Sequence, residues 1–471
     1  MKRLFYTLLF FLPCMLIACG GSDDTPDGDN NPPVVAPPCE EPVDSRLLYN
    51  GIRLPEQWPP VRSSSSELEK GMSPFYLSDK PSVINISVGR QLFVDNFLIE
   101  STNLKRTFYY PEYYSGNPIL TPEQDWEKTG TKGAAFAAPF SDGVWYDEKE
   151  GKYKMWYMAG GGSYATSGAG VTCYAESTDG IHWTKPTLSV VAGTNIVDYN
   201  SERDASVIWL DKQESNASKR YKMFLVARES GKWRYHYKTS PDGKVWRAAV
   251  QSEPIADRST VYKNPFRNVW VYSMRHNVRV DANKLVRARD YNENTDPEAG
   301  TKKAEALLSA FWFGPWANEQ HHTDYPNIAP AIYNQDATPY ESIMLGFFSV
   351  WQGPENDVCA SDNVIKRNQV MVGYSRDGYS WFREDMNPFH AVNTTTSDAW
   401  NQGNLQSVAG APLIVGDKLY FYLSGHRLRG TQEITTTGLA MLRRDGFASM
   451  KGTGELQTSL LKFDGSYFFV N

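Results

Sequence analysis

The sequence has little of what builds a covalent or metal-bound scaffold. It contains 5 cysteines and 7 histidines among 471 residues. Cys14 and Cys19 lie near the N-terminus, and the remaining cysteines are too few for a disulfide framework. The histidines lack the close spacing of zinc ligands except at the adjacent His321 and His322. No loop has the ligand spacing of a calcium site. We therefore expect no cofactor.

Positive charge is not in excess either. The formal net charge is −6, and no stripe of Lys and Arg runs along the chain. Because binding to nucleic acid needs clustered positive charge to neutralise phosphates, we expect no nucleic-acid partner. Aromatic residues, by contrast, are plentiful, with 14 Trp and 27 Tyr. They favour β-structure and surfaces that stack on flat, neutral ligands such as sugars.

The N-terminal apolar stretch, residues 4–17, is too short to span a membrane. It has about 14 residues, against the roughly 20 that a spanning helix needs. It follows the basic residues Lys2 and Arg3, an order typical of a secretory signal peptide. The sequence ending at Cys19 is similar to the lipobox of bacterial lipoproteins, and the acidic residues 23–24 resemble the export signal of surface lipoproteins of the Bacteroidota.

This resemblance implies a signal peptide over residues 1–19 and a lipid on Cys19 as the membrane attachment. It places the protein in the cell envelope, at the outer membrane or cell surface. Residues 20–53 begin with a stretch rich in Pro, Asp, Asn and Gly that has almost nothing to bury, so we expect a flexible linker there.

The rest of the chain repeats. A short aromatic strand recurs at residues 153–157, 221–224, 269–272, 343–347 and 419–422. An Asp-Gly pair, which is typical of turns between β-strands, begins at residues 179, 242, 377 and 445. The steps between these pairs are 63, 135 and 68 residues. The middle step spans two repeats, with a degenerate copy near Arg289 and Asp290.

Several short strands per repeat of this length predict the blades of a propeller. Helical periodicity is scarce, and only residues 301–310 suggest a short helix. We therefore predict an all-β fold, a five-bladed β-propeller over residues 130–471. An extended N-terminal segment, residues 54–129, is expected to pack on it.

Acidic residues near the starts of the innermost strands suggest chemistry. These strands line one channel, so their carboxylates converge where little water screens them. Glycoside hydrolysis needs such a pair, one to protonate the leaving oxygen and one to act as base or nucleophile. The candidates in blades one to four are Asp142, Asp204, Asp257 and Glu341.

Candidate substrate-binding residues lie beside these acids or in the fifth blade. An arginine fork can grip hydroxyls, an acidic sugar or a carboxylate. His276 follows one of the arginines, and the fifth blade offers a polar and aromatic segment over residues 398–404. The full set is Arg203, Arg258, Arg275, His276, Trp400 and Gln402.

At these residues the chain resembles known enzymes. The segment 203–209 is similar to the Arg-Asp-Pro motif that opens the second blade in glycoside hydrolase families 32, 43, 62, 68 and 130. The strand pair 143–157 and the turn 177–183 resemble their first blade. Segments 91–100, 257–266 and 404–407 look like those of bacterial family 32-like glycosyl hydrolases.

The resemblance implies a role for each acid. Asp204 corresponds to the carboxylate that stabilises the transition state, Asp142 to the nucleophile or base, and Asp257 to the general acid. The motif differs at Ala205, where these families have Pro, and blade one lacks their Asn-Asp-Pro sequence. Blade three has Asp where they have Glu, so Glu253 or Glu341 is an alternative acid.

Each candidate also has a structural interpretation. In that interpretation Asp204 and Arg203 form an ion pair at a strand edge. Asp142 belongs to a turn. Asp257 and Arg258 form a salt bridge between two blades. Glu341 is then purely structural. Asp95 is expected in a turn of the leading segment.

We therefore expect a monomeric glycoside hydrolase that acts on a polysaccharide or oligosaccharide. A non-catalytic glycan-binding propeller is the alternative. A phosphorylase would need a basic phosphate pocket, for which the sequence offers only Arg203, Arg258 and Arg275. The sugar, the linkage and the stereochemical outcome are not specified by the sequence.

Overall fold

The computed structural model describes residues 44–128, 134–165, 170–199, 201–282, 284–306, 308–396, 398–410 and 412–465. The chain divides into two units, Met1–Asp44 and Ser45–Asn471. The predicted signal peptide, Cys19 and linker residues 20–43 lie outside the described residues. The second unit begins before the predicted boundary at residue 54, because Leu48 and Ile52 are buried with Leu54. Residues 45–53 therefore belong to the folded unit.

The segment that precedes the propeller is extended and has few regular elements. A buried ion pair of 2.8 Å joins Asp95 in this segment to Arg376. Asp95 also accepts a hydrogen bond of 3.1 Å from the backbone N–H of Phe97, which makes a local turn. The elements are α1 Ser64–Glu67, a 3₁₀ turn Phe75–Leu77, β1 Ile84–Asn85, β2 Ile99–Thr102, β3 Lys105–Phe108, β4 Glu112–Tyr113 and α2 Asp125–Lys128.

The first three blades follow in chain order. Blade one contains β5 Ala135–Ala138, β6 Val144–Asp147, β7 Lys152–Ala159, a 3₁₀ turn Gly162–Tyr164, β8 Val171–Ser177 and β9 Ile196–Asp198. Blade two contains β10 Glu202–Leu210, a 3₁₀ turn Ala217–Lys219, β11 Tyr221–Glu229, β12 Lys232–Ser240 and β13 Arg247–Gln251. Blade three contains β14 Thr260–Asn264, β15 Val269–Arg279, β16 Leu285–Asn294, α3 Pro297–Lys303 and β17 Ala310–Phe313.

The last two blades complete the ring. Blade four contains β18 Ala331–Tyr340, β19 Ile343–Gly353, α4 Asn356–Asp362 and β20 Arg367–Ser375. Blade five contains β21 Gly403–Val408, β22 Leu413–Val415, β23 Lys418–Arg429 and β24 Gln432–Arg443. The final strands are β25 Ala448–Lys451, β26 Leu456–Thr458 and β27 Leu461–Lys462. They pair with β3, β2 and β1, so the two ends of the folded unit are held together.

The ring closes between blades five and one. Strand β24 pairs in parallel with β5, and its other half pairs with β4. A cavity of about 20 Å³ is lined by residues from the innermost strands of all five blades, among them Trp145, Val207, Val261, Asp336 and Val408. This cavity is the central channel. The predicted five-bladed β-propeller is therefore confirmed.

The repeated sequence features have defined places in the blades. The five aromatic strands are the second strands, β7, β11, β15, β19 and β23. The first three Asp-Gly turns follow the third strands, at the end of the ring where the second strands begin. The degenerate repeat lies in β16 of blade three, which is followed by α3 instead of an Asp-Gly turn. That helix begins before the predicted 301–310, because Asp296 caps it by accepting a hydrogen bond of 2.6 Å from the Ala299 N–H.

A glycine in the repeated turn allows one blade to contact its neighbour closely. Gly243 has a φ of +79°, and its carbonyl accepts a hydrogen bond of 2.6 Å from the indole N–H of Trp156 in blade one. A Cβ at Gly243 would lie 2.3 Å from an indole carbon. Gly378 approaches Asn264 in the same way. The glycine is thus needed for its conformation and for its lack of a side chain.

We expect Gly243→Ala to lower the free energy of unfolding by about 2–4 kcal/mol, because the methyl group is strained and overlaps Trp156. Gly231→Ala is the matched control. Gly231 has a φ of +78° and open space where the Cβ would be, so its cost should be about 1 kcal/mol. Urea unfolding of both variants tests the difference, and equal losses would contradict the packing role.

The channel also contains a carboxyl group with a perturbed pKa. Burial raises the pKa of Asp336 to about 7, although Ser141 and the backbone N–H of Val408 oppose the shift. The side-chain N–H of Asn334 donates a hydrogen bond of 2.9 Å to it. In the unfolded chain the carboxyl returns to its usual pKa near 3.8. Between these two values the folded protein retains a proton that the unfolded chain releases.

Stability should therefore fall as the pH rises from about 4 to about 7, by up to about 4 kcal/mol. Asp336→Asn keeps the neutral form at every pH, so this part of the pH dependence should disappear. Urea unfolding at pH 5 and pH 8 measures it in both proteins. The same loss of stability in the variant would show that Asp336 is not its source.

Candidate functional site

The innermost strands are irregular at one end of the channel. Strand β10 has a bulge between Arg203 and Ser206 that contains Asp204, and β18 has one between Ile332 and Asn334 that contains Tyr333. A bulge adds an unpaired residue and redirects its side chain. Three further residues at this end, Phe140, Arg258 and Asn404, have positive φ values of 45°, 54° and 43°. The irregular backbone therefore presents side chains to the end of the channel.

These side chains contact others that come from the adjoining ends of the second and third strands. We call them the mouth cluster: Phe140, Asp204, Asp257, Arg258, Arg275, Arg287, Tyr333, Lys366, His426 and Glu433. All five blades contribute to it.

Asp204 is held by Arg258. One carboxylate oxygen accepts a hydrogen bond of 2.7 Å from the backbone N–H of Arg258, and the other lies 3.3 Å from its guanidinium. The Asp204 side chain is 16% exposed, so it remains reachable from the channel. The Arg258 guanidinium also lies 5.5 Å from the ring centres of Phe140 and of Tyr333.

Asp257 is held by Arg275. The two side chains form a close ion pair, in which Asp257 is 25% exposed. Burial lowers the pKa of Arg275, while Asp257 and then Asp204 raise it. For Arg258, burial also lowers the pKa, but Asp204, Tyr333 and Asp257 raise it above its usual value. The backbone N–H of Arg275 also donates a hydrogen bond of 3.1 Å to the hydroxyl of Ser259, the residue that follows Arg258. The two ion pairs therefore adjoin each other in blade three.

Asp142 does not lie in the mouth. It is fully buried, and Arg203 donates hydrogen bonds of 2.6 and 3.1 Å to its two oxygens. Arg203 is buried as well and also donates to the hydroxyl of Thr172 at 2.6 Å. Burial raises the pKa of Asp142, although Arg203 and then Arg258 lower it. The predicted nucleophile and the predicted substrate-binding arginine thus form a buried contact between blades one and two.

Blade one instead contributes a buried aromatic ring to the mouth cluster. Phe140, two residues before Asp142, lies between Arg258 and His426, whose ring centre is 5.9 Å away. No sequence signal separated Phe140 from the many aromatic core residues.

Blade five contributes a histidine and a glutamate that the sequence analysis missed. His426 and Glu433 form a close hydrogen-bonded pair on β23 and β24. The hydroxyl of Thr435 lies 3.0 Å from the same imidazole nitrogen, and Asn404 lies 3.3 Å from the other. Although burial raises the pKa of Glu433, His426 and Lys366 bring it below its usual value. The two residues lie seven positions apart in sequence, and only the pairing of their strands brings them together.

The alternative acids lie away from the mouth. Glu341 occupies the turn between β18 and β19, with a φ of +50°, and contacts Arg444 at 3.1 Å. Along β18 this turn is roughly 25 Å from Tyr333. Glu253 is 61% exposed beside Arg234, past the outer strand of blade two. Neither shares the mouth with Asp204.

Three predicted substrate-binding residues have structural contacts. His276 lies 2.9 Å from the carboxylate of Asp290, which raises the histidine pKa. Trp400 is buried in blade five, where the Cβ-free backbones of Gly425 and Gly438 leave space for its indole. The side-chain amide oxygen Oε1 of Gln402 accepts a hydrogen bond of 3.0 Å from the Leu428 N–H.

Within the described ranges, no three His, Cys, Asp or Glu side chains are placed to hold a metal ion. Over the same residues, no helix has the length and apolar character required to cross a membrane.

No family model matches the chain, and no curated protein matches it. Among solved structures, it is similar to a glycosyl hydrolase from Bacteroides ovatus, with 13% identity, a TM-score of 0.40 and coverage of 73% of this chain and 97% of the other. An N-acetylgalactosamine deacetylase from F. plautii has 11% identity, a TM-score of 0.41 and coverage of 69% and 96%. A fructofuranosidase from Schwanniomyces occidentalis has 12% identity, a TM-score of 0.40 and coverage of 72% and 64%.

Proposed function

We propose that this protein is a glycoside hydrolase whose reaction takes place in the mouth cluster. The observation that carries the proposal is that two partly exposed carboxylates, Asp204 and Asp257, are each paired with an arginine of blade three, Arg258 and Arg275, and that these arginines adjoin through Ser259. Hydrolysis of a glycosidic bond needs one carboxyl group to protonate the leaving oxygen and a second to act as base or nucleophile. Asp257 and Asp204 are our candidates for these respective roles.

The neighbouring groups suit a sugar. The buried rings of Phe140 and Tyr333 pack beside the Arg258 guanidinium, and Arg258 fixes the orientation of Asp204 through its backbone and its side chain. A carboxylate held in this way needs little reorganisation when positive charge develops on the sugar ring. His426 lies 5.9 Å from the Phe140 ring centre, and its partner Glu433, whose side chain is 40% exposed, can accept hydrogen bonds from hydroxyl groups.

A non-catalytic glycan-binding protein is the second candidate. One observation favours it: the blade-one carboxylate, Asp142, is enclosed with Arg203 instead of facing the channel. A propeller that keeps its aromatic and charged groups but lacks a working pair of acids would bind a glycan without cleaving it.

We expect Asp204→Asn and Asp257→Asn each to lower kcat/KM by about 10²- to 10⁴-fold, the range typical of acid and base groups. In Asp204→Asn the side-chain amide oxygen still accepts the hydrogen bond from the Arg258 N–H, so folding should be retained. Sugars released from a panel of plant and algal glycans provide the measurement. The contrary outcome is a wild-type protein that releases no sugar from any glycan of the panel but binds one of them, with the same affinity in Asp204→Asn. In that case the non-catalytic glycan-binding protein is the correct assignment.

Asp142→Asn is the control for a structural carboxylate. It leaves the buried Arg203 without its charged partner, which should lower the free energy of unfolding by about 3–5 kcal/mol. The amide oxygen of Asn can still accept one of the two hydrogen bonds from Arg203, so Asp204 should keep its place and turnover per folded molecule should be close to that of the wild type. If the variant were fully stable but inactive, Asp142 would have a role in the reaction and not in stability.

We also propose that the chain is anchored in the cell envelope through a lipid on Cys19, as the lipobox-like sequence suggests. Labelled palmitate should enter the wild-type protein expressed in a bacterium that processes lipoproteins. Cys19→Ala should lose the label and leave the membrane fraction. Retention of the label in the variant would rule out this anchor.

A further inference from the structure

Several cations surround one phenol in the mouth cluster. The Tyr333 ring centre lies 4.7 Å from the guanidinium of Arg287, 5.4 Å from the ammonium of Lys366 and 5.5 Å from the guanidinium of Arg258. Burial raises the pKa of Tyr333, but Lys366, Arg258 and Arg287 together bring it below its usual value. Arg287 also lies near enough to Arg275 to lower the pKa of that arginine.

Two of these cations have carboxylate partners within the cluster. Asp204 is paired with Arg258, and Asp257 with Arg275. Within each pair the two charges neutralise each other, and both pairs belong to the candidate catalytic site.

The other two cations are not neutralised. Among the described residues, no carboxylate lies within 4.0 Å of the Arg287 guanidinium or of the Lys366 ammonium. One terminal nitrogen of Arg287 is enclosed and has no hydrogen-bond partner in this part of the chain. Glu433 is near enough to Lys366 for the ammonium to lower its pKa, but its close partner is His426.

This arrangement has an energetic cost unless an anion binds there. Cations held close together repel one another, and an enclosed guanidinium nitrogen without a partner loses its hydration. The cluster is nevertheless built on fixed backbone, since Tyr333 lies in a bulge of β18 and Arg258 has a φ of +54°. This local group of positive charges contrasts with the net charge of the whole chain, which is −6.

We propose that Arg287, Lys366 and Tyr333 form a subsite for an oxyanion carried by the substrate glycan, the carboxylate of a uronic acid or a sulfate ester. The guanidinium fork matches the paired oxygens of either group, and the ammonium adds a point charge. The inference rests on the proposed function, because the subsite adjoins the carboxylates assigned to glycosidic cleavage. An anion that is attached to a bound glycan has a higher effective concentration at Arg287 and Lys366 than the same anion free in solution.

Binding measurements on the folded chain test the subsite separately from turnover. The probes are an oligogalacturonate, a sulfated carrageenan oligosaccharide, a neutral galactan oligosaccharide and inorganic phosphate. We expect the wild-type protein to bind the uronate or the sulfated probe at least about tenfold more tightly than the neutral one. The acidic probe that binds identifies which oxyanion the subsite takes.

Arg287→Met and Lys366→Met should each weaken binding of that acidic probe by about tenfold or more and leave the neutral probe unaffected. Arg247→Met removes the same charge from the exposed outer strand of blade two and should change neither. Equal binding of acidic and neutral probes, or unchanged binding in both variants, would overturn the subsite. Tighter binding of inorganic phosphate than of either acidic glycan would also overturn it.

Turnover then distinguishes the two proposals. Cleavage of a glycan, together with binding of the acidic probes that Arg287→Met and Lys366→Met leave unchanged, would support the hydrolase and overturn the subsite. Binding of an acidic glycan that depends on Arg287, with no cleavage of any glycan, would support the subsite and overturn the hydrolase.

Discussion

The site depends on one buried ion pair between two blades. Arg203 reaches from β10 into blade one and holds both oxygens of Asp142, while Thr172 takes a further hydrogen bond. Because successive side chains of a strand point to opposite faces, enclosing Arg203 directs Asp204 toward the channel. The bulge at these two residues then places Asp204 against Arg258. A structural contact thus positions the candidate catalytic carboxylate.

The two ends of the ring differ in regularity for a physical reason. At one end, repeated turns such as that at Gly243 contact the neighbouring blade and need the same backbone conformation each time. At the other end, bulges and positive φ values at Asp204, Tyr333 and Arg258 release the strands from regular pairing. Irregular backbone brings charged side chains from different blades together, and each blade contributes a different residue type.

This difference explains how far the site can be predicted. The acids and arginines that directly precede or begin an innermost strand could be proposed from the sequence, because strand patterns mark those positions. Asp204, Asp257 and Arg258, which lie in the mouth cluster, are examples. Asp142 follows the same pattern, yet it is enclosed with Arg203, and Phe140 is the residue of this segment that contacts Arg258. Arg287, Lys366 and Glu433 lie on or beside third strands. No local pattern there separates a residue of the mouth from any other exposed charge.

The sequence by itself determined the architecture: five aromatic strands and their Asp-Gly turns specify five blades, since the same local packing problem recurs in each. Only the tertiary structure decided which charges meet. Ion pairs between Asp142 and Arg203 or Asp204 and Arg258, and the four cations around Tyr333 and its neighbours, join residues from different sheets. Their interaction energies depend on distance and burial, which are set by closure of the ring and are not encoded in any one repeat.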